Sequence, residues 1–504
     1  MHYVSLIIEF LRGRPAVVFW TAALAQAVIW TLVPAVFYSA PPGDVPLNLA
    51  IGHEFVLGSY LGPPLAFWLG EIAYRIGGAF GLYALAQACI VTTYWAVFTL
   101  GRGIVGTRHA VLGVLLMAGI AAFTVPSPDF GPAVLAAPLW ALALLHYWRA
   151  VGEGNRGSWF VFALFLGLLL LANYAGLILL ALMIVFTLAT GRGRRAFLNP
   201  EPWVAMLLLV IVVFPHAAWL GMAGDVVLAA INESAVAVGT WSPGIWLCIA
   251  LVISHSGLLL LVALASNFPM RRRRWRDLAP EIERNPVEPF ARRFVYFFAL
   301  APAACAITIA FVSGKLGPLD RVGPLVLLSG LAVVVAAGDQ VRLYRERMVS
   351  SAWVGLLVVP PTLVVLGLFV LPWTASTDLK IAQPVKVEGQ FFGENFQRRT
   401  GKPLAYVTGD ARLAALVALG APSRPHVYFA WAPQRSPWTS AADVANKGGM
   451  LVWPASDNTG TPPATLKAQF TAMVPEVPRS FSRMIQGNQP LIRVGWSVLR
   501  PQAP

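Results

Sequence analysis

The hydrophobic residues of this chain fall into long runs that short polar stretches interrupt. Each run approaches the roughly 20 residues that a helix needs to cross a bilayer. The predicted spans are 16–39, 80–101, 109–125, 132–148, 159–173, 174–190, 203–222, 244–266, 294–313, 322–338 and 352–373. The pattern therefore predicts a multi-pass α-helical membrane protein with about eleven transmembrane helices.

The polar loops alternate in charge, and this alternation predicts their side of the membrane. Because basic residues stay cytoplasmic, the basic loops face inward with the N-terminus, and loops 40–79, 126–131, 221–243 and 313–321 face outward. Two basic flanks around 159–190 require an even number of crossings, which predicts a hairpin with Asn173 and Tyr174 at its outer turn. The basic positions are Arg12, Arg14, Arg102, Arg108, Arg149, Arg156, Arg192, Arg194, Arg195, the topological run Arg271–Arg274, Arg276, Arg284, Arg292, Arg293, Arg342, Arg345 and Arg347.

The pattern changes after Trp373, where no later run is long enough to span. Residues 1–373 are thus predicted to form the membrane domain and 374–504 a separate small α/β domain outside the cytoplasm. Short β-type runs begin at Leu404, His426, Gly448 and Leu491, and helical runs begin at Asp410 and Pro462. This domain carries no phosphate loop, GxSxG motif or metal-ligand spacing.

The first outer loop, 40–79, concentrates polar chemistry beside the membrane. It holds Asp44, His53, Glu54, Glu71 and Arg75. Charge next to hydrocarbon is costly to retain, so the cluster indicates a working site. Within the loop, PPLAFWLGEIAYRIGG predicts an amphipathic helix lying along the outer interface, because apolar residues recur at three- and four-residue spacing after a proline pair.

Composition agrees with this class. The chain is 57% hydrophobic and 12% charged, which excludes an ordinary soluble globule. Its net charge of +14 is interpreted as the orientation signal of membrane insertion, with no nucleic-acid partner. The three cysteines lie in apolar runs and predict neither disulfides nor a zinc site. The first span lacks a cleavage site and is expected to remain as a helix.

The order of motifs in the membrane part resembles a known family. GDVPLNLA, GPPLAFWLGEIAYRIGG, PSPDFGP, the ANYAG turn and FPHAAWL follow one another as in bacterial GT-C membrane glycosyltransferases. Among these, the resemblance is to the group of protein O-mannosyltransferases and lipid A aminoarabinose transferases. It implies transfer of a sugar from a polyprenyl-phosphate donor to an envelope lipid, lipopolysaccharide or glycan at the periplasmic face of the bacterial inner membrane.

The resemblance assigns roles to individual residues. Asp44 matches the family's first-loop catalytic aspartate, and Asp129 matches its Pro-Asp site. The chain departs where Val45 replaces a glutamate, Gly62 a histidine or lysine before Pro-Pro, and Asn173 a lysine before tyrosine.

Asp44 is the candidate base, and Asp129 would orient the acceptor or help to hold a cation. Cations or a divalent metal ion must hold the donor phosphate as its charge grows. Outward-facing cations that could replace the family's lost groups are Arg75, Lys315 and Arg321, and the candidate substrate-binding residues are His53, Glu54, Tyr60, Asn173 and Tyr174.

Each assignment has a structural alternative. Asp44 and Asp129 could cap the helices that follow them, and His53 and Glu54 could be a solvated loop pair. Asn173 and Tyr174 could simply form a hairpin turn, while His216 would pack at a helix end and His255 in the core. At the level of function, the alternatives are a transporter or flippase of lipid-linked sugars, and a partner subunit that keeps the scaffold without activity.

Overall fold

Helices dominate the architecture of the chain. The computed structural model describes residues 13–233, 242–266, 281–315, 322–342, 346–375, 379–455, 460–471 and 473–501. Predictions that concern Arg12, Arg271–Arg274, Arg276, Arg321 and Arg345 lie outside these residues. The helices before residue 375 are α1 (Pro15–Phe37), α2 (Val45–His53), α3 (Leu65–Val105), α4 (Thr107–Met117), α5 (Pro132–Val151), α6 (Ser158–Ala172), α7 (Gly176–Ala189), α8 (Gly191–Ala196), α9 (Glu201–Glu233), α10 (Pro243–Ser254), α11 (Ser256–Ala265), α12 (Pro289–Ser313), α13 (Ser329–Ala336) and α14 (Glu346–Thr374).

Several of these helices meet the requirements for crossing a bilayer. In the described ranges, six are long and apolar enough, or up to seven if the bent pair of α10 and α11 counts as one span. The chain is therefore a multi-pass helical membrane protein. Helices also occupy the other predicted spans, but α4, α6 and α7 have only 11, 15 and 14 residues. The number of about eleven spans accordingly stays a prediction.

α3 agrees with the sequence-based boundaries, whereas α9 differs from them. α3 consists of two helices: the part before Gly77 corresponds to the predicted short helix, and the part after Gly78 corresponds to the second span. The position of the short helix along the outer interface stays a prediction. The two parts meet at a kink whose non-helical residues are Gly77 and Gly78, a common site for sharp bends. α9 continues to Glu233, into the predicted loop 221–243, so His216 lies within a helix and not at its end.

The chain divides into two compact units. The helical unit contains Met1–Leu32, Tyr83–Met222 and Leu228–Thr362, and the α/β unit contains Val33–Leu82, Ala223–Val227 and Leu363–Pro504. In the helical unit, the buried ring of Tyr147 contacts Phe186, Phe294 and Phe298 with centroids 6.0–6.4 Å apart. Its hydroxyl hydrogen-bonds Thr187 Oγ1 at 2.5 Å, so α5, α7 and α12 pack through one aromatic cluster. A two-stranded sheet of β1 (Glu281–Glu283) and β2 (Gln340–Arg342) belongs to the same unit.

A five-stranded mixed sheet forms the centre of the α/β unit, in the order β4-β3-β5-β7-β6. β3 pairs in parallel with β4 and β5, while β7 pairs antiparallel with β5 and β6. The strands are β3 (Tyr406–Gly409), β4 (His426–Tyr428), β5 (Gly449–Pro454), β6 (Arg479–Phe481) and β7 (Ile492–Leu499), and the helices are α15 (Val385–Thr400), α16 (Ala411–Gly420), α17 (Ala441–Lys447) and α18 (Ala464–Gln469). The predicted β-type runs coincide with β3, β4, β5 and β7, whereas β6, α15 and α17 were not expected.

The first outer loop is part of the α/β unit's core. Ala50 on α2 lies in one hydrophobic cluster with Phe392, Val417 and Val452, and Leu47 and Tyr60 pack against that cluster. The burial of these apolar side chains fixes α2 on the C-terminal sheet and helices. Segments from both sides of residue 373 build this unit. The domain boundary at residue 373 stays a prediction.

Candidate functional site

The polar centre of the α/β unit begins where α2 and α3 approach closely. A Cβ at Gly52 would lie 2.3 Å from the carbonyl oxygen of Phe67 and 3.1 Å from Cβ of Glu71. Only a residue without a side chain permits this approach. It brings His53, the last residue of α2, next to Glu71 on α3.

Glu71 is fully buried and its carboxylate binds three partners. Oε1 accepts a hydrogen bond from Arg75 Nε at 2.9 Å and lies 3.1 Å from His53 Nδ1. Oε2 accepts a hydrogen bond from Arg424 Nη2 at 2.7 Å. A buried carboxylate is tolerated only when paired in this way, so Glu71 joins the first outer loop to the segment before β4.

A second ion pair joins the same segments. Glu54 Oε1 lies 2.7 Å from Nδ1 of His426, the first residue of β4, and the Glu54 side chain is 7% exposed. The hydrogen bond to Glu54 raises the pKa of His426, while burial and Lys447 act in the opposite sense. His53 therefore pairs with Glu71, and Glu54 pairs with His426. The alternative interpretation of His53 and Glu54 as a solvated loop pair is wrong.

Backbone strain accompanies this centre. Among the described residues, the non-glycine residues with positive φ are Phe55 at 49° and Arg424 at 48°. Phe55 follows Glu54 directly, and Arg424 binds Glu71. Such conformations cost of order 1–3 kcal/mol and persist only where the surroundings impose them, as they do at functional sites.

Asp44, the predicted base, is exposed in the turn before α2. It occupies the N-cap position of α2, as the capping alternative expects, but its side chain makes no capping hydrogen bond. Arg412 of α16 donates a hydrogen bond through Nη1 to the carbonyl oxygen of Gly43, which fixes the turn.

Tyr60 lies near Asp44 and stacks with a buried arginine. The guanidinium carbon of Arg435 is 4.8 Å from the centroid of the Tyr60 ring. Burial raises the pKa of Tyr60 to about 12, Arg435 lowers it, and the negative charge of Asp44 raises it. Arg412 thus brings a cationic side chain of the C-terminal segment to the turn of Asp44, and Arg435 brings another to Tyr60.

Asp129 is half-buried in the turn before α5. Gly131, and not Asp129, is the N-cap residue of α5, so the capping alternative is wrong for Asp129. The turn is anchored by Ser127, whose Oγ accepts a hydrogen bond from Gln87 Nε2 at 2.9 Å. Asp129 belongs to the helical unit and Asp44 to the α/β unit, and a cavity shared by their carboxylates stays a prediction.

The predicted donor-binding cations have partners within the chain. Arg75 pairs with Glu71, and Lys315 Nζ donates a hydrogen bond to Asn232 Oδ1. Arg321 lies outside the described residues. Their proposed contact with a phosphate stays a prediction.

Asn173 and Tyr174 form the turn between α6 and α7. Asn173 Oδ1 accepts a hydrogen bond from the backbone N–H of Ala175 at 2.8 Å, the bond of an Asx turn. The Tyr174 hydroxyl lies 3.2 Å from His216 Nε2. His255, at the bend between α10 and α11, is half-buried and lies 3.0 Å from Ser329 Oγ.

The departures from the family pattern are fixed in the backbone and core. Val45 is fully buried, so a glutamate there would lose its hydration. Gly62 has a φ of +138°, which L side chains rarely adopt, so a lysine or histidine at this position would be strained. A charged residue at position 45 or a side chain at position 62 would thus be unfavourable in the local structure.

Glu71 belongs to the polar cluster predicted in the first outer loop, although no role is predicted for it, whereas Arg412, Arg424, His426 and Arg435 are not predicted from the sequence as site residues. The i,i+4 spacing of Glu71 and Arg75 was the available signal for a helical ion pair. Among the described residues, no group of three or more His, Cys, Asp and Glu side chains could hold a metal ion.

Comparison with known proteins bears on the membrane part. The model of the family "dolichyl-phosphate-mannose-protein mannosyltransferase" matches residues 62–219. This match confirms the resemblance to the protein O-mannosyltransferase group over that range. No curated protein matches the chain in sequence.

Solved structures show a weaker likeness. ArnT from Cupriavidus metallidurans in the apo state is 14% identical with a TM-score of 0.49, covering 97% of this chain and 99% of that chain. The same protein bound to undecaprenyl phosphate is 13% identical with a TM-score of 0.44 at the same coverage. The archaeal oligosaccharyltransferase AglB from Archaeoglobus fulgidus, in complex with an inhibitory peptide and a dolichol-phosphate, is 14% identical with a TM-score of 0.41, covering 83% of this chain and 64% of that chain.

Proposed function

We propose that this chain, which matches the mannosyltransferase family over residues 62–219, moves a sugar from a polyprenyl-phosphate donor to an acceptor. The acceptor is an envelope lipid, lipopolysaccharide or glycan, and the reaction takes place at the periplasmic face of a bacterial inner membrane. The N-terminus is cytoplasmic and the C-terminal domain periplasmic.

The observation that carries the proposal is the environment of Asp44. Its exposed carboxylate makes no capping bond, yet its turn is fixed by Arg412 and by the fully buried Val45. An accessible carboxylate on a turn whose backbone is fixed suits a general base, which contributes typically 10²–10⁴-fold to the rate.

The reaction follows from these groups. The acceptor oxygen or nitrogen attacks the anomeric carbon, and its proton passes to Asp44. The bond between the anomeric carbon and the phosphate oxygen breaks, and polyprenyl phosphate leaves with the electron pair. Arg412 at the turn of Asp44 and Arg435 beside Tyr60 supply positive charge that would stabilise the leaving phosphate.

A second candidate function is a partner subunit that retains the scaffold without activity. The structural roles of Val45, Gly62 and Asn173 favour it, because none of the three can supply the charge found in the family.

A transfer assay tests the proposal. Purified protein in liposomes receives undecaprenyl-phosphate-linked sugars and envelope acceptors, and both glycosylated acceptor and released undecaprenyl phosphate are measured. We expect transfer by the wild type, loss of transfer in Asp44→Asn, and unchanged transfer in Asp410→Asn. The last variant is a matched control, because asparagine caps a helix as well as the aspartate that caps α16.

Other outcomes contradict the proposal in distinct ways. Movement of the donor across the bilayer without transfer supports a flippase. No transfer and no movement supports the inactive subunit. Cytoplasmic activity of a reporter fused at Thr374 would overturn the assigned orientation.

A further inference from the structure

Trp431 is unusual among the tryptophans of the C-terminal segment. Its exposed fraction is 44%, whereas Trp453 and Trp496 are 1% and 5% exposed. Trp438 is partly buried and donates its indole N–H to the carbonyl oxygen of Val427. An aromatic ring with a large apolar face gains by contact with a partner, and the exposed part of Trp431 is open to one.

The exposed ring is held in place by its neighbours. The guanidinium of the buried Arg435 lies 4.5 Å from the centroid of Trp431 and 4.8 Å from that of Tyr60. Phe429 packs edge-on against Tyr60 with centroids 5.6 Å apart. The guanidinium of Arg435 therefore joins the rings of Trp431 and Tyr60 into one cluster through two cation–π contacts.

The loop of residues 429–436, which carries Trp431 and Arg435, is closed by its own hydrogen bonds. Ala432 N donates to Phe429 O at 3.0 Å, and Ser436 N donates to Pro433 O at 3.0 Å. Phe429 N donates to Ser436 Oγ at 3.2 Å. The rings are thus preorganised, and little conformational freedom remains to be lost when a ligand binds.

The chemistry of this surface matches a carbohydrate. One face of a pyranose ring presents C–H groups that pack on an aromatic face, while its hydroxyls need charged or polar partners at the edge. Trp431 and Tyr60 provide aromatic surface, and the negative charge of Asp44 contributes to the raised pKa of Tyr60. The combination of apolar face and a few polar groups is typical of small-ligand sites.

We infer that Trp431, Tyr60 and Arg435 form a sugar-binding subsite beside Asp44, in which a pyranose ring of the substrate stacks on Trp431. This inference rests on the proposed function for the identity of the substrate, but the binding itself can be measured without catalysis. The sugar is that of the lipid-linked donor or that of a glycan acceptor, and binding measurements with each probe distinguish these two sources.

The test measures binding to the full-length protein in nanodiscs with the Asp44→Asn substitution, which removes turnover. The probes are an undecaprenyl-phosphate-linked hexose and undecaprenyl phosphate itself. We expect Trp431→Ala to weaken binding of the glycosylated lipid about tenfold and to leave binding of undecaprenyl phosphate unchanged. Trp431→Phe should retain most of the affinity. Val474→Ala, which alters another exposed apolar side chain of the same unit, should change the binding of neither lipid.

If glycan acceptors bind there instead, Trp431→Ala weakens their binding about tenfold and leaves both lipids unaffected. If Trp431→Ala weakens the binding of both lipids equally, or changes the binding of no probe, the subsite is overturned. Failure of the proposed function looks different: the wild type then transfers no sugar, although sugar-dependent binding is still lost in Trp431→Ala. Transfer by Trp431→Ala with an unchanged KM for donor and acceptor would refute the subsite and leave the function intact.

Discussion

Substitution of Glu71 by glutamine should weaken the attachment of the first outer loop to the C-terminal sheet. The carboxylate is fully buried and accepts hydrogen bonds from Arg75 and Arg424. Glutamine has nearly the same size, so the change removes the charge without opening a cavity. The two guanidinium groups then lose their negative partner.

The expected magnitude follows from the exposure of the two arginines. Breaking a buried ion pair costs about 3–5 kcal/mol, and the Arg424 side chain is 25% exposed, so we expect about 2–4 kcal/mol for Glu71→Gln. The Arg75 side chain is 51% exposed and pairs with Glu71 at i,i+4, a contact worth about 0.3–0.5 kcal/mol. Arg75→Gln is therefore the matched control with a small effect.

Hydrogen exchange of backbone amides in α2 and β4 measures this local stability. Glu71→Gln and Arg424→Gln should both lower the opening free energy of α2, and the double variant should lose less than the sum of the two. Arg75→Gln should leave exchange nearly unchanged. Equal effects of Arg75→Gln and Glu71→Gln, or wild-type protection in Glu71→Gln, would refute the reasoning.

Three further predictions concern pH and backbone strain. Burial raises the pKa of Glu388 to about 7, so the folded unit binds this proton more tightly than the unfolded chain; stability should fall as pH rises from about 4.5 to about 7, and Glu388→Gln should flatten that fall in thermal unfolding. Glu54 raises the pKa of His426, so the stabilisation from this pair is fully present below pH 6.5 and is lost as pH rises through the folded-state pKa; exchange of β4 amides should show this loss in the wild type and not in His426→Gln. Gly62→Lys, which restores a family-like cation, should destabilise by about 1–2 kcal/mol because of the φ of +138°, and a melting temperature equal to that of the wild type would contradict this.

Local patterns in the sequence predict much of the fold. Apolar runs of membrane length indicate helices such as α1 and α12, since every backbone group in a bilayer must be paired within the segment. In the C-terminal segment, Asp410 before an apolar helical run predicts the start of α16, where its side chain accepts a hydrogen bond from Leu413 N at 2.9 Å. These signals act over a few residues and can be read without the tertiary structure.

The candidate site depends on distant partners, and local patterns do not show them. Glu71 and Arg424 are 353 positions apart, and Glu54 and His426 are 372 positions apart. The sequence predicts polar chemistry in loop 40–79 and suggests His53 and Glu54 as ligands of a substrate. It does not show that His53 pairs with Glu71 in the same loop, or that Glu54 pairs with the distant His426. The same limit applies to Arg435, whose stacking between two rings arises only when the loop after β4 meets Tyr60.

The most direct test of the central claim is the kcat of Asp44→Asn for sugar transfer from an undecaprenyl-phosphate donor, at saturating donor and acceptor. The predicted result is a kcat about 10²–10⁴-fold below that of the wild type, with donor binding retained. A variant that transfers sugar as fast as the wild type would contradict the assignment of Asp44 as the base.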